Sequence, residues 1–187
     1  MSELPPLPYE SPASQADHDR MKVQLGRVMR GVHSIARRCA CGCPAVVRTV
    51  PRLPDGTPFP TSLYLTLPSM VQAISRLEAG GVMSELTERL AHDEDLAAGY
   101  RRAHDRYLAR RGELGEAREI EGISAGGMPA RVKCLHAVVG QSLAEGEGVN
   151  PVGDLVLRQL ADDGDADIDR CTCDDAQPRS TVMTVQR

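Results

Sequence analysis

Tryptophan is missing from this chain, phenylalanine occurs once and tyrosine four times. The interior must therefore be packed from Leu, Val, Ala and Met rather than from rings. The same scarcity removes the aromatic platforms on which single-stranded nucleic acid is stacked, so nucleic acid is not an expected partner. No apolar run approaches the roughly 20 residues that cross a bilayer, and no membrane span is expected. The N-terminal stretch MSELPPLPYESP has neither a basic start nor an apolar core. No signal peptide is therefore expected, and the cytoplasm is the expected compartment. In that compartment six cysteines read as thiols or metal ligands rather than as disulfides. Lysine is almost absent too: Lys22 and Lys133 are the only two among 22 basic residues. The rest are arginines, whose planar forks suit carboxylate and phosphate.

What is present is a chain of 187 residues with 41% apolar content. That is enough for one domain with a real core, and too much for a wholly disordered chain. The net charge of −4 hides a partition. Residues 1–19 and 159–187 are acidic, whereas 20–54 hold Arg20, Lys22, Arg27, Arg30, Arg37, Arg38, Arg48 and Arg52 with no acid. Such a run attracts anions over about 8 Å in physiological salt, or it is neutralised by acids from elsewhere in the fold.

Proline-rich residues 1–19 read as a disordered tail, 20–161 as a single α+β domain, and 162–187 as an acidic flexible tail. The runs VHSIA (32–36), AVVRTV (45–50) and SLYLTL (62–67) are β-rich and separated by turn residues, which predicts an antiparallel sheet of about three strands. After Pro68 the period becomes helical. Met70, Val71, Ile74 and Leu77 share a face that stops at Gly80-Gly81, and Val82, Met83, Leu86 and Leu90 begin another helix. Asp93 is the expected N-cap of a third, striped by Leu96, Tyr100, Ala103, His104, Tyr107 and Leu108. Residues 112–127 read as a loop, Pro129 as the first turn of a helix through about 144, and 153–161 as the last helix. Four or five helices are thus expected over the sheet. No internal repeat is present.

The cysteines fall in three places: Cys39, Cys41 and Cys43; Cys134 with His136; and Cys171 with Cys173. Residues two apart on a strand point the same way, so Cys39 and Cys41 are able to grip one ion. Zinc prefers four such ligands. Cys134 with His136, or Cys171 with Cys173, would supply the second pair. Against this, C-x-C is a weaker signature than C-x-x-C, and Cys134 also reads as a small buried hydrophobe. Residues two apart on a helix diverge by about 200°, so Cys134 and His136 bind one ion together only where the helix start is irregular. His104 is either a core histidine with a hydrogen-bonded neighbour or a general base or metal ligand facing a cleft. The stiff loop PRLPDGTPFP (51–60) presents Arg52, Asp55 and Thr57, or simply joins two strands. Arg131 and Lys133 in GGMPARVKCLH (126–136) are expected at a helix start suited to anions. That segment lacks the Gly-Lys-Ser/Thr ending of a nucleotide P-loop. Asp163, Asp165, Asp167 and Asp169 alternate like a calcium loop, but Ile168 replaces the required glycine, so they read as a solvated acidic tail.

Several of these segments together resemble a bacterial family catalogued as domain of unknown function 501, common in actinobacteria. The resemblance runs over about 23–155: QLGR (24–27), RGV (30–32), RC-x-CG-x-P (38–44), PRLPDGTPFPT (51–61), YLT (64–66), AH-x-x-YL (103–108), GMP-x-RVKCLH (127–136) and G-x-GVNP-x-GD (146–154). The resemblance brings no established activity. It implies that Cys39, Cys134 and His136 are kept more reliably than Cys41, Cys43 or the C-terminal cysteines Cys171 and Cys173, and that Gln141 stands where many relatives have histidine. Genes of the family often neighbour a septum-formation initiator gene and an exopolyphosphatase gene.

Taken together, these features predict one polar cleft. Cys134, His104 and Asp55 are its expected catalytic groups, and Arg52, Thr57, Arg131 and Lys133 its anion-binding groups. Cys39, Cys41, Cys134 and His136 are the expected ligands of a zinc ion. Hydrolysis or group transfer on a phosphorylated or other anionic small molecule is the reaction class that follows. The competing expectation is a non-catalytic adaptor or regulatory protein linked to cell division, docking an acidic protein partner, with a structural zinc or no metal.

Overall fold

The computed structural model describes residues 4–170 and Cys173. Strand β1 (Ser11–Pro12) is a two-residue edge, followed by β2 (Val32–Arg38), β3 (Pro44–Thr49) and β4 (Leu63–Leu65). They pair antiparallel in the order β1-β2-β3-β4. The three expected strands are therefore present, with a fourth added by the N-terminal segment.

β3 is buried along its whole length, because both faces of the sheet are covered. Side chains alternate across a strand. Val47 and its partner Ile35 join Met21 and Met29 beneath helix α1 (Gln15–Leu25). Val46, Ala36 and Leu65 point the other way, into the main core. That core is built by α2 (Pro68–Ala79), α3 (Val82–His92), α4 (Glu94–Gly112), α5 (Leu135–Glu145) and α6 (Pro151–Asp162). α5 is the central element, with Leu135 and every residue from Ala137 to Glu145 buried. Asp93 caps α4 by accepting from the Leu96 N–H, as its position predicts, and Asn150 does the same for α6 from Gly153. Tyr107 ties α4 to the sheet. Its buried hydroxyl accepts from the Ser62 N–H at 2.6 Å, and burial pushes its pKa up to about 12.

Residues 162–170, expected as the start of a flexible acidic tail, instead bury Ile168 in the main core and pair Asp165 with Arg76, because Ile168 gives the acidic run one apolar anchor. Two further expectations need correction. The helix expected from Pro129 starts only at Leu135. Before it, the chain turns back on itself: Arg131 N–H donates to the Gly127 carbonyl and Lys133 N–H to the Gly126 carbonyl, at 3.2 and 2.7 Å. Those bonds consume the backbone donors that an anion cradle would need. The second correction concerns residues 4–19, expected as a tail but carrying β1 and the start of α1. Leu7 is buried in the main core, and the Pro5 carbonyl accepts from Arg110 at 2.7 Å. Prolines do not prevent this: Pro5, Pro6 and Pro8 precede the first strand, and Pro12 lies on an edge strand, which tolerates it.

The start of α1 is fixed by a charged knot. Ser14 and Asp17 form a reciprocal capping box, and Arg38 from the end of β2 grips both carboxylate oxygens of Asp17 at 2.6 and 3.0 Å. The Arg38 guanidinium holds the Asp17 carboxyl well below the usual carboxylate range, and the Ser14 donors reinforce this against the opposing effect of burial. A depressed folded pKa stabilises the fold fully above the unfolded value of about 4, and this contribution is lost as pH falls through the folded value. Asp17→Asn is therefore expected to lower stability by roughly 1.5–3 kcal/mol at neutral pH. The gap between variant and wild type should shrink on acidification below about pH 4. Urea unfolding at both pH values checks this, and a gap independent of pH would contradict it.

Candidate functional site

The expected ligand set of Cys39, Cys41, Cys134 and His136 divides into two clusters. In one, the sulfurs of Cys39, Cys41 and Cys173 lie within 4.8 Å of one another; in the other, donor atoms of Glu78, Cys134 and His136 do so. Cys39 and Cys41 belong to the turn between β2 and β3, whereas Cys134 is the N-cap of α5. Each pair found a different third partner. Cys171 lies outside the described residues.

The Glu78 cluster is assembled by two helix ends. Glu78 sits in the last turn of α2, and its Oε1 accepts from the Leu135 N–H at 2.7 Å, capping α5 from outside. The same oxygen is 3.2 Å from His136 Nδ1, with Cys134 Sγ 3.9 Å from that nitrogen. The other ring nitrogen, Nε2, lies 3.2 Å from the Val71 carbonyl oxygen and 3.4 Å from Ser75 Oγ. Burial opposes charge on His136, but the Cys134 sulfur, the Glu78 carboxylate and the Val71 carbonyl outweigh it and raise the pKa to about 9. The two ring nitrogens thus face different elements, Nδ1 the Glu78 carboxylate and Nε2 the Val71 carbonyl. His136 and Glu78 side chains remain about a quarter exposed, at 24% and 23%, so the cluster is reachable from solvent. Arg131 and Lys133, just before Cys134, are exposed.

The other expected site residues lie elsewhere. His104 keeps a neighbour, with Nδ1 2.9 Å from Ser124 Oγ. Arg52 donates to the Gly56 carbonyl at 2.7 Å and pairs with Glu119 at 2.6 Å. Asp55 accepts from the Thr57 N–H and pairs with Arg30. The exposed Asp55 carboxyl is held below its usual value, first by the Thr57 backbone and then by Arg30. The loop 51–60 thus satisfies itself and its neighbours. A cleft of about 330 Å³ opens between α6, the 166–169 segment and β2, lined by Tyr9, Arg37, Asp154, Arg158, Asp167 and Asp169 among others. It contains none of the expected site residues. Arg37 lies 3.9 Å over the Tyr9 ring and pairs with Asp169 at 3.0 Å.

Two carboxylates, one in the site and one outside it, stand in final helical turns with no motif to announce them. Glu78 is one. Its signal is position, because a carboxylate in a final helical turn opposes the helix dipole and needs another reason to be there. Glu145, ending α5, is the other. It anchors a ladder of charge with a buried centre and partly exposed ends: Arg106 and Arg110 meet Glu145, Arg110 also meets Glu113, Glu113 meets Arg48, and Arg48 meets Glu10.

Among the described residues no helix is long and apolar enough to cross a membrane. No curated protein and no solved structure matches the chain. The model of a family described as protein of unknown function (DUF501) matches residues 35–158, a span that holds β3, β4, α2 to α5 and the whole Glu78–Cys134–His136 cluster, and the chain belongs to that family.

Proposed function

We propose that this protein is a hydrolase or group-transfer enzyme acting on a phosphorylated or otherwise anionic small molecule, with Glu78, Cys134 and His136 as its reaction centre. One observation carries the reading: a thiol, an imidazole and a carboxylate converge at a solvent-reachable helix start. Sulfur, nitrogen and oxygen donors together suit a zinc-type ion, and three protein ligands with one open position are the catalytic form of such a site. His136 fits a ligand's role, since a metal-bound imidazole usually donates its other N–H to a carbonyl or carboxylate. Here that acceptor is Val71. An ion in this place would polarise water or a phosphoryl oxygen, and Arg131 and Lys133 would meet the anionic end of the substrate.

The adaptor reading draws less support. Five members of the basic run, Arg30, Arg37, Arg38, Arg48 and Arg52, are ion-paired within the chain. The run is therefore largely neutralised before any acidic partner arrives.

The test is phosphate release from a panel of nucleotides and sugar phosphates by zinc-loaded protein, compared with Cys134→Ala and Glu78→Gln. Both variants should lose at least about 100-fold in rate, and Cys134→Ala should keep nearly the wild-type melting temperature. Full activity in Cys134→Ala would overturn the reading, as would no release from any member of the panel.

A further inference from the structure

The second sulfur cluster joins parts of the chain that are far apart in sequence. Cys39 Sγ lies 3.3 Å from Cys173 Sγ, and the Cys173 N–H donates to Cys41 Sγ at 3.4 Å. The turn that presents Cys39 and Cys41 is tightly held. Gly42 N–H donates to the Cys39 carbonyl at 2.8 Å, and Cys39 N–H to the Cys43 carbonyl at 3.0 Å. Gly42 takes φ 78°, a left-handed conformation that glycine adopts without strain. Arg38 closes the turn through the Gly42 carbonyl at 3.0 Å.

Two hydrogen bonds tie the approaching chain to the rest of the fold, one at Ile168 and one at Cys173. Ala40 N–H donates to the Ile168 carbonyl at 3.0 Å, and Arg20 donates to the Cys173 carbonyl at 2.9 Å. Cys39 and Cys173 are buried, and Cys41 is exposed.

We propose that Cys39, Cys41 and Cys173 form a zinc-thiolate site that clasps the segment following α6 onto the β2–β3 turn. Three sulfurs so close together supply three of the four positions that one soft-ligand ion takes, with zinc–sulfur distances near ~2.3 Å, and the exposed side of Cys41 leaves the fourth to solvent or another donor. The chemistry around them fits an anionic metal–thiolate centre. A backbone N–H already points at one sulfur, and Arg20 and Arg38 meet the carbonyls beside the cluster. The clasp has a structural consequence. Asp167, Ile168 and Asp169 line the 330 Å³ cleft and lie a few residues before Cys173, so an ion here fixes one wall of that cleft. This site stands apart from the Glu78 centre and does not depend on it.

The experiment uses the full chain, reduced, in a Cys134→Ser background that removes the other thiol centre. Cobalt(II) is added as the spectroscopic probe. A near-ultraviolet thiolate-to-cobalt band is expected, and Cys41→Ser and Cys173→Ser should each weaken it. Cys41 provides a second readout that needs no further variant, because it is exposed and its thiolate is the reactive form. One equivalent of zinc should slow its alkylation by iodoacetamide about tenfold or more, read by peptide mass. A missing cobalt band, a band indifferent to Cys173→Ser, or equal alkylation of Cys41 with and without zinc would overturn the proposal.

Discussion

Glu145→Ala is expected to cost roughly 3–5 kcal/mol of folding stability, the usual penalty for removing one partner of a buried ion pair. The Glu145 side chain is fully buried and the Arg110 side chain is 2% exposed. Without the carboxylate, Arg110 keeps Glu113 and the Pro5 carbonyl, and Arg106 loses the counter-ion that its guanidinium now meets. Gln141, also fully buried, loses one acceptor for its amide while keeping the Ala103 carbonyl. Glu145→Gln preserves the shape and one acceptor but not the charge, so it should fall between alanine and wild type. Glu145→Met combined with Arg110→Met should recover much of the loss, because apolar groups of similar volume often replace a buried pair at little cost. Urea unfolding of the four proteins decides it. A penalty below about 1 kcal/mol for Glu145→Ala would place it among solvent-screened pairs instead.

That ladder explains why part of this fold could be read in advance and part could not. Two kinds of element were legible: the β-rich run of β3, whose Val46 and Val47 are buried on opposite faces of a sheet covered on both sides, and helices with a one-sided stripe, such as Met70 and Ile74 on α2. α1 was not legible. QADHDRMKVQL shows no apolar stripe, and the helix is held instead by the Ser14–Asp17 box and Arg38. The N-terminal segment was missed for a related reason. Leu7 is one apolar residue among prolines, but Glu10 reaches Arg48 and Pro5 reaches Arg110. Long-range polar contacts of this kind leave no periodic trace.

The site was half legible. Spacing brought Cys39 to Cys41, whereas Cys134 and His136, poorly placed for one ion within a regular helix, meet because Cys134 is the extended N-cap of α5 and lies outside its helical turns. What spacing could not say is which third group closes each pair. Glu78 is 58 residues from His136 and Cys173 is 134 from Cys39, so only the fold decides. The resemblance to relatives pointed to Cys134 and His136 and was silent on Glu78. A carboxylate against the helix dipole, at Glu78 and again at Glu145, was the one local clue. Both prove to be committed to cations or N–H donors from other elements.

Gly153→Ala is expected to destabilise the protein by about 3 kcal/mol or more, at or beyond the upper end for overpacking, although alanine is the better helix former by about 1 kcal/mol. Packing decides the sign. A Cβ on Gly153 would lie 2.3 Å from the Val138 carbonyl oxygen and 2.4 Å from Ser142 Oγ, so α6 would have to back away from α5. Neither obstacle yields easily: one is helix backbone, and the other is a hydroxyl already donating to the Asn150 carbonyl at 3.0 Å. Gly112→Ala is the matched control. It ends α4, a Cβ there meets nothing within 4 Å, and the change should be neutral or slightly stabilising. The displacement also reaches the chemistry, because α5 carries His136 in its first turn while Glu78 comes from α2. Any shift of α5 that does not carry α2 with it changes the 3.2 Å separation of His136 and Glu78. In zinc titrations of a Cys173→Ser background, which isolates the Glu78 centre, Gly153→Ala should therefore weaken binding as well as stability. Loss of stability with unchanged zinc affinity would mean that α2 and α5 move as one body, and that the centre is set by their mutual contact alone.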